Sequence, residues 1–392
     1  MTQLLPMALW TQREDLAALV GALGPGNSRY VGGAVRDTLL GLPVKDVDMA
    51  TPLSPDEVMA RLAAAGIRTA PTGIAHGTVT AILPAGPVEI TTLRHDVETD
   101  GRRATIAYAQ DWREDAARRD FTINALYADP VTLKVDDWFG GLDDLARRRV
   151  RFIGDARQRI REDHLRILRY FRFQARFGSE PADAESEGAC AELAATLKGL
   201  SRERIAMELL NLLALPDPAP TIARMSELGI LRVILPEAEP AALARLVGAE
   251  GRVGVGADPL RRLAAMLPAD PTVADQVGAR LRLSTAQRKR LVTAAGRSHP
   301  LAGAAENPRE LAYRLGREQA IDRLLLAGQD LAGVAEWEIP QLPIKGADIV
   351  ARGIGAGPQV AKILRAVEAR WIAEGFPPAD RVQELLAETL AT

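Results

Sequence analysis

Polar and apolar positions change period along this chain, first helical, then alternating, then helical again. Residues 12–23 place Leu16, Leu19, Val20 and Leu23 three and four apart, which predicts a helix with one apolar face. Tyr30-Val-Gly-Gly-Ala-Val-Arg-Asp37 then reads as a short strand, a Gly-Gly turn and a helix beginning near Ala34, and Lys45-Asp-Val-Asp-Met-Ala-Thr51 as a strand. Ser54 and Glu57 form a capping-box pattern for a helix through Ala65, ended by Gly66. Short β-like runs follow at 67–70, 78–83 and 88–93, punctuated by Gly77 and the turn from Pro84 to Pro87. Residues 94–110, with Gly101-Arg-Arg103, mix charges without a clear period and predict a loop. Helical patterns dominate the chain after about residue 150, broken at Pro216-Asp-Pro-Ala-Pro220. The expected class is α+β: an α/β head with a mixed sheet to about residue 150, then an all-helical remainder at 151–215 and 216–392.

The most informative helical stretch is 160–177. Asp163, Arg166, Arg169, Arg172 and Arg176 recur every three or four residues and build one polar face, while Leu165, Leu168, Phe171 and Phe173 belong to the buried side. Composition alone reads this as a solvated basic stripe. Four arginines with one carboxylate are nevertheless costly to align unless something anionic faces them. A second basic cluster, at 280–290, reads as a solvated helix start or a contact for RNA phosphate.

Composition narrows the classes. A chain of 392 residues suffices for two or more domains with substantial cores, and 47% hydrophobic with 26% charged residues is ordinary for a globular protein. The net charge of −2 gives no global basic signal, so any nucleic-acid contact must come from local clusters. A single cysteine, Cys190, excludes an internal disulfide and a Cys-based zinc site and fits a reducing, cytoplasmic setting. No apolar run approaches the ~18 residues of a membrane span, and Met1-Thr-Gln-Leu-Leu-Pro lacks the form of a signal peptide, so no membrane association is expected.

Candidate chemistry concentrates in 30–51. A glycine turn entering a helix lets backbone N–H groups approach a phosphate. On a strand, Asp46 and Asp48 project together, and paired carboxylates beside phosphates call for a hard dication, Mg²⁺. The combination points to nucleotidyl transfer assisted by two metal ions.

Gly32-Gly33-x-x-Arg36-Asp37 followed by Asp46-x-Asp48 resembles the first motif of the class II tRNA nucleotidyltransferase / bacterial poly(A) polymerase family, whose best-known members are the CCA-adding enzymes. Arg118-Arg-Asp-Phe-Thr-Ile-Asn-Ala125, Glu162-Asp163-x-x-Arg166 and Leu200-Ser-x-Glu-Arg-Ile-x-x-Glu208 are similar to later motifs. Asp137-Trp-Phe-Gly-Gly-Leu-Asp143 resembles the family's hinge, with Gly140 and Gly141 as pivots. The tail is also similar, except for Ala356 where proline is expected, so the resemblance spans nearly the whole chain.

The resemblance implies a polymerase-β-like nucleotidyltransferase head followed by neck, body and tail. It implies addition of C, C and A to the tRNA 3′ end from CTP and ATP, with Mg²⁺ held by Asp46 and Asp48. Gly33, Arg36 and Arg119 would hold the triphosphate and sugar, with Asp120 near the ribose. Asp163 and Arg166 would read the base edge, with Arg169 and Arg172 touching the nucleotide. Cytosine and adenine both offer an amine donor beside a ring-nitrogen acceptor, which suits a carboxylate next to a guanidinium. Glu89 reads on pattern as a solvent-facing strand residue, whereas the resemblance implies a third catalytic carboxylate. Within 94–110 the family carries a flexible loop that helps switch from C to A addition. Ser201 is expected as an N-cap, and Arg204–Glu208 as an i,i+4 pair.

Other products stay open: poly(A) addition, or CC-only or A-only addition, on the same scaffold. A non-catalytic RNA-binding relative is a further class, against which the Asp46/Asp48 pair speaks. No obligate protein partner is implied. A His-Asp phosphohydrolase module is not expected, because His299 is the only histidine in the second half of the chain.

Overall fold

The structure is a computed structural model that describes residues 3–74, 77–99, 104–109, 111–298, 307–331 and 333–391. The chain divides into two compact units, Met1–Pro236 and Glu237–Thr392.

The first unit opens with helix α1 (Glu14–Leu23), strand β1 (Arg29–Val31) and helix α2 (Gly33–Leu39). Strand β2 (Val47–Thr51) and helix α3 (Pro55–Ala64) follow. The Ser54/Glu57 capping box forms as expected and starts α3. Strands β3 (Arg68–Gly73), β4 (Thr78–Ile82) and β5 (Val88–Thr92) come next. Strands β8 (Leu126–Ala128) and β9 (Val135–Asp137) complete a seven-stranded sheet in the order β3-β4-β5-β2-β1-β8-β9. Only the β2–β5 pair is parallel, so the sheet is mixed, in agreement with the expected class.

Side-chain parity explains what each sheet face carries. Val47 and Met49 on β2 and Val88 and Ile90 on β5 are buried in register, so Asp48 and Glu89, also in register, face the opposite way. Helix α2 packs on β1, β2 and β8, and α3 packs on β3 and β4.

The stretch 94–110, expected as a loop, instead contains β6 (Arg94–Thr99) paired antiparallel with β7 (Ala104–Tyr108). Backbone pairing supplies order that the mixed-charge pattern conceals; Gly101-Arg-Arg103 lies outside the described residues.

Helix α4 (Trp112–Ala117) follows, capped by Asp111, and α5 (Gly141–Ala146) comes after β9. Asp137 accepts from the backbone N–H groups of Phe139, Gly141 and Leu142, which fixes the turn into α5. A Cβ on Gly141 would lie 2.3 Å from the Thr122 carbonyl oxygen, so this glycine serves close packing.

The expected single helix over 160–177 is two helices, α6 (Ala156–Glu162) and α7 (Arg166–Phe177). Asp163 is extended (φ −151°, ψ 104°), and its Oδ1 accepts from the Leu165 N–H at 3.1 Å. That side-chain bond replaces a helical one and breaks the rod. Helices α8 (Ala184–Glu192) and α9 (Arg202–Leu213) follow, with α9 packed along α7. Ser201 stands at the N-cap of α9 but makes no side-chain cap bond. Two short helices, Ala219–Glu227 and Ile230–Ile234, close this unit.

The second unit is helical, from Ala241–Val253 through Ala379–Ala391. Of the five cations in its basic cluster, Arg280 pairs within the unit with Glu237, Arg288 with Asp275, and Arg290 with Asp258, Asp322 and Glu318. Among the described residues no helix is long and apolar enough to cross a membrane.

Candidate active site

The cleft-forming face of the sheet carries Asp48, Glu89, Thr78 and Thr91, and α7 and α9 of the same unit line the space with Arg166, Arg169, Arg204 and Glu208. Arg119, Asp120 and Asp163 line it too, and its volume is about 600 Å³. Seven of the eleven residues singled out in the sequence therefore meet here: Asp48, Glu89, Arg119, Asp120, Asp163, Arg166 and Arg169.

Asp46 is exposed just before β2, two positions from Asp48, and Glu89 is the exposed register partner of Asp48. Burial pushes the Asp48 carboxyl above the usual carboxylate range; Glu89 and Asp46 push the same way, and Arg119 opposes them. Among the described residues no three His, Cys, Asp or Glu side chains form a ready metal cage. Asp48 and its register partner Glu89, with Asp46 two residues away, offer oxygen atoms of the kind a hard dication takes.

Gly32, in place of Gly33, is the conformationally demanding glycine of the turn, with φ +64°, and a Cβ there would lie 3.1 Å from an Arg119 guanidinium nitrogen. Gly33 is the first residue of α2. At seven residues α2 contributes a weak dipole, and the fixed charges beside the turn are Arg119, against Gly32, and Arg36, against Gly33 and already paired with Asp37. Arg119 donates through Nε to the Tyr127 hydroxyl at 2.9 Å and pairs with Asp115 at 3.5 Å. The Tyr127 hydroxyl donates to Asp115 at 2.5 Å, which leaves the phenol pinned between an acid and a guanidinium.

Arg36 does not line the cleft. It is buried, donates to Asp37 and to Asn124 Oδ1, and lies 4.1 Å over the Phe177 ring. Asn124 in turn donates to Asp120 Oδ1 at 2.9 Å, which also accepts from the Phe121 N–H at 2.9 Å. Asp120 Oδ2 accepts from Arg169 Nε at 2.8 Å and Nη2 at 2.5 Å. Burial alone would raise the Asp120 carboxyl, but Arg169 and these donors hold it below the usual range.

The anion expected opposite the arginine stripe is supplied by the protein itself. Glu208 of α9 accepts from Arg172 Nε at 2.6 Å and lies 3.7 Å from Arg169, while Arg166 donates to Glu162 at 2.7 Å. Arg172 thus sits behind the cleft lining, and the expected Arg204–Glu208 pair does not form, because tertiary partners outcompete the helix neighbour. Arg204 donates instead to Asp163 Oδ2 at 2.7 Å. Sequence pattern does not mark Arg204, Glu208, Asp115 or Tyr127 as site residues, although Arg204 and Glu208 both lie within the 200–208 motif.

A mixed-sheet head bearing strand carboxylates, with arginine-rich helices across a polar cleft, defines a polymerase-type nucleotidyltransferase. Residues 28–151 match the family described as "Poly A polymerase head domain", and residues 183–242 match "Probable RNA and SrmB- binding site of polymerase A". The chain is 35% identical over 364 residues to the mitochondrial CCA tRNA nucleotidyltransferase 1 of Mus musculus, covering 89% of this chain and 83% of that one. Over 203 residues it is 37% identical to the CCA-adding enzyme of Geobacillus stearothermophilus, covering 51% of this chain and 49% of that one. Its fold is similar to the crystal structure of the Bacillus stearothermophilus CCA-adding enzyme in complex with CTP, with a TM-score of 0.70, 27% identity and coverage of 96% and 98%. The chain belongs to the CCA tRNA nucleotidyltransferase / poly(A) polymerase family.

Proposed function

We propose that this chain adds C, C and A in turn to the 3′ end of tRNA, using CTP and ATP and releasing pyrophosphate. The observation that carries the reading is one cleft lined together by Asp48, Glu89, Arg119, Asp163 and Arg166. In each step the primer 3′ oxygen attacks the α-phosphorus, the bond to the β-phosphate bridging oxygen breaks, and pyrophosphate leaves. Asp46 and Asp48 would hold Mg²⁺, with Glu89 as a third carboxylate. When bound, the metal eases deprotonation of the 3′ hydroxyl and stabilises the charge on the leaving group.

Arg119 is held over the Gly32–Gly33 turn by Tyr127 and Asp115, and from there its fixed charge meets the triphosphate. Asp163 accepts from the amine of cytosine or adenine, and Arg166 donates to the neighbouring ring nitrogen. Arg166 keeps an Nε–H that donates to nothing among the described residues, while its Nη1 and Nη2 are held by Glu162, the Arg159 carbonyl and the Arg118 carbonyl. Uracil and guanine present the opposite polarity and would leave buried groups unpaired. Affinity for tRNA comes from phosphate and shape contacts and falls with salt. A single, buried Cys190 suits a reducing cytoplasm, where we place the reaction.

The test is to incubate the protein with Mg²⁺ and tRNA lacking its 3′ end, offering CTP, ATP, both, or UTP with GTP, and to sequence the products. Growth to CCA and a stop, requiring both CTP and ATP, is expected. Long A-tails would make it a poly(A) polymerase, and CC or a single A would mean a divided pathway.

A further inference from the structure

We infer that Arg204 of α9 is a positioning residue that determines which bases the cleft accepts, by fixing the carboxylate of Asp163. The inference rests on the base-reading role proposed for Asp163 and Arg166.

Asp163 sits at the break between α6 and α7, where no helical neighbour fixes its side chain. One oxygen is held by the Leu165 N–H at 3.1 Å and the other by Arg204 Nη2 at 2.7 Å. Arg204 is itself mounted on a rigid base. One turn further along α9, Glu208 is almost wholly buried and is clamped to Arg172 at 2.6 Å, so α9 is tied to α7 directly behind the cleft. Arg166 is held separately, by Glu162 at 2.7 Å and by two backbone carbonyls. The two base readers are thus kept apart by different partners, each leaving hydrogen-bonding capacity for a ligand.

The chemistry of discrimination depends on this separation. A carboxylate only accepts, so it pairs with an exocyclic amine and opposes a carbonyl at the same place. That contrast is sharp only while the oxygens stay where the amine will be. Without Arg204, the carboxylate is free to swing toward the guanidinium groups of Arg166 and Arg169, which line the same cleft. It would then satisfy itself internally, and a keto base would meet less opposition. Preorganisation of this kind acts on the ratio between nucleotides more than on the chemical step. The Arg204 and Asp163 side chains are 40% and 30% exposed, so both are reachable by a ligand, and substitution at Arg204 does not open the core.

The experiment measures single-nucleotide incorporation with each of CTP, ATP, UTP and GTP, on tRNA primers lacking the relevant terminal residue, for wild type, R204Q, R204K, D163N and D163N/R204Q. R204Q is expected to raise KM for CTP and ATP about 10-fold, the scale of one charge-assisted hydrogen bond. It should lower kcat/KM discrimination against UTP and GTP by a similar factor and leave tRNA affinity and kcat for CTP within about threefold. R204K should recover most of the discrimination, and the double variant should discriminate no worse than D163N. If R204Q keeps discrimination within twofold while D163N loses it, Arg204 has no such role. A uniform loss with all four nucleotides would make Arg204 a general contact and also overturn the inference. If D163N itself keeps full discrimination, the base-reading assignment fails first, and the role of Arg204 fails with it.

Discussion

Asp120 offers the sharpest separation between contact with the nucleotide and support of the site. A carboxylate has about four lone-pair positions. All four are used inside the protein, by the Phe121 N–H, Asn124 Nδ2 and two Arg169 nitrogens, at 2.9, 2.9, 2.8 and 2.5 Å. No acceptor is left for a ribose hydroxyl, so Asp120 is expected to act by holding Arg169 and Asn124. Asp120→Asn keeps the shape but turns an amide donor toward Arg169 or Asn124. Breaking a buried ion pair costs about 3–5 kcal/mol; because the Arg169 side chain is 32% exposed and keeps Glu208 nearby, the lower end, about 3 kcal/mol, applies. For a cooperative unit of this size that lowers Tm by roughly 6–12 °C. The sign in acid follows from the depressed folded-state pKa of Asp120. Its stabilisation is full above the unfolded carboxylate value, about 4, and is lost as pH falls through the lower folded value. Wild type should therefore lose its margin over D120N below about pH 4. Calorimetry on both proteins from pH 3 to 7 measures this directly. A D120N protein with unchanged Tm but a raised KM for both nucleotides would instead place Asp120 on the ligand.

Other consequences follow from the same geometry. Asp48→Ala should abolish incorporation while leaving tRNA binding intact, and a chelator should do the same to wild type until Mg²⁺ is restored; retained activity in D48A would remove the metal from the scheme. Tyr127→Phe deletes the hydroxyl between Arg119 and Asp115 and should raise nucleotide KM several-fold at about 1 kcal/mol, read by steady-state kinetics. Gly141→Ala brings a Cβ against the Thr122 carbonyl and should lower stability by about 1–3 kcal/mol in a denaturant titration; wild-type stability would mean that the turn yields freely.

Much of the site was legible because its residues fall in short linear groups. The strand alternation that buries Val47 and Met49 necessarily turns Asp48 to the other face, and the same parity on β5 delivers Glu89 beside it. The partners of the arginines were not legible. Helical spacing suggests Arg204 with Glu208, but burial makes α9 spend Glu208 on Arg172 and Arg169 and leaves Arg204 to Asp163. Periodicity also runs unbroken through Asp163, because an Asx-type bond to the Leu165 N–H changes the backbone without changing the pattern. In 94–108 the strands pair with each other apart from the main sheet, so no one-sided apolar alternation announces them.

In the proposed function, one cleft in the first unit takes both CTP and ATP. Calorimetric titration of each nucleotide, alone and in competition, into wild type and Arg166→Ala tests it directly. One nucleotide bound per chain, full displacement of ATP by CTP and weakening of both by R166A are expected; two independent sites, or loss of only one nucleotide in R166A, would rule out a shared cleft.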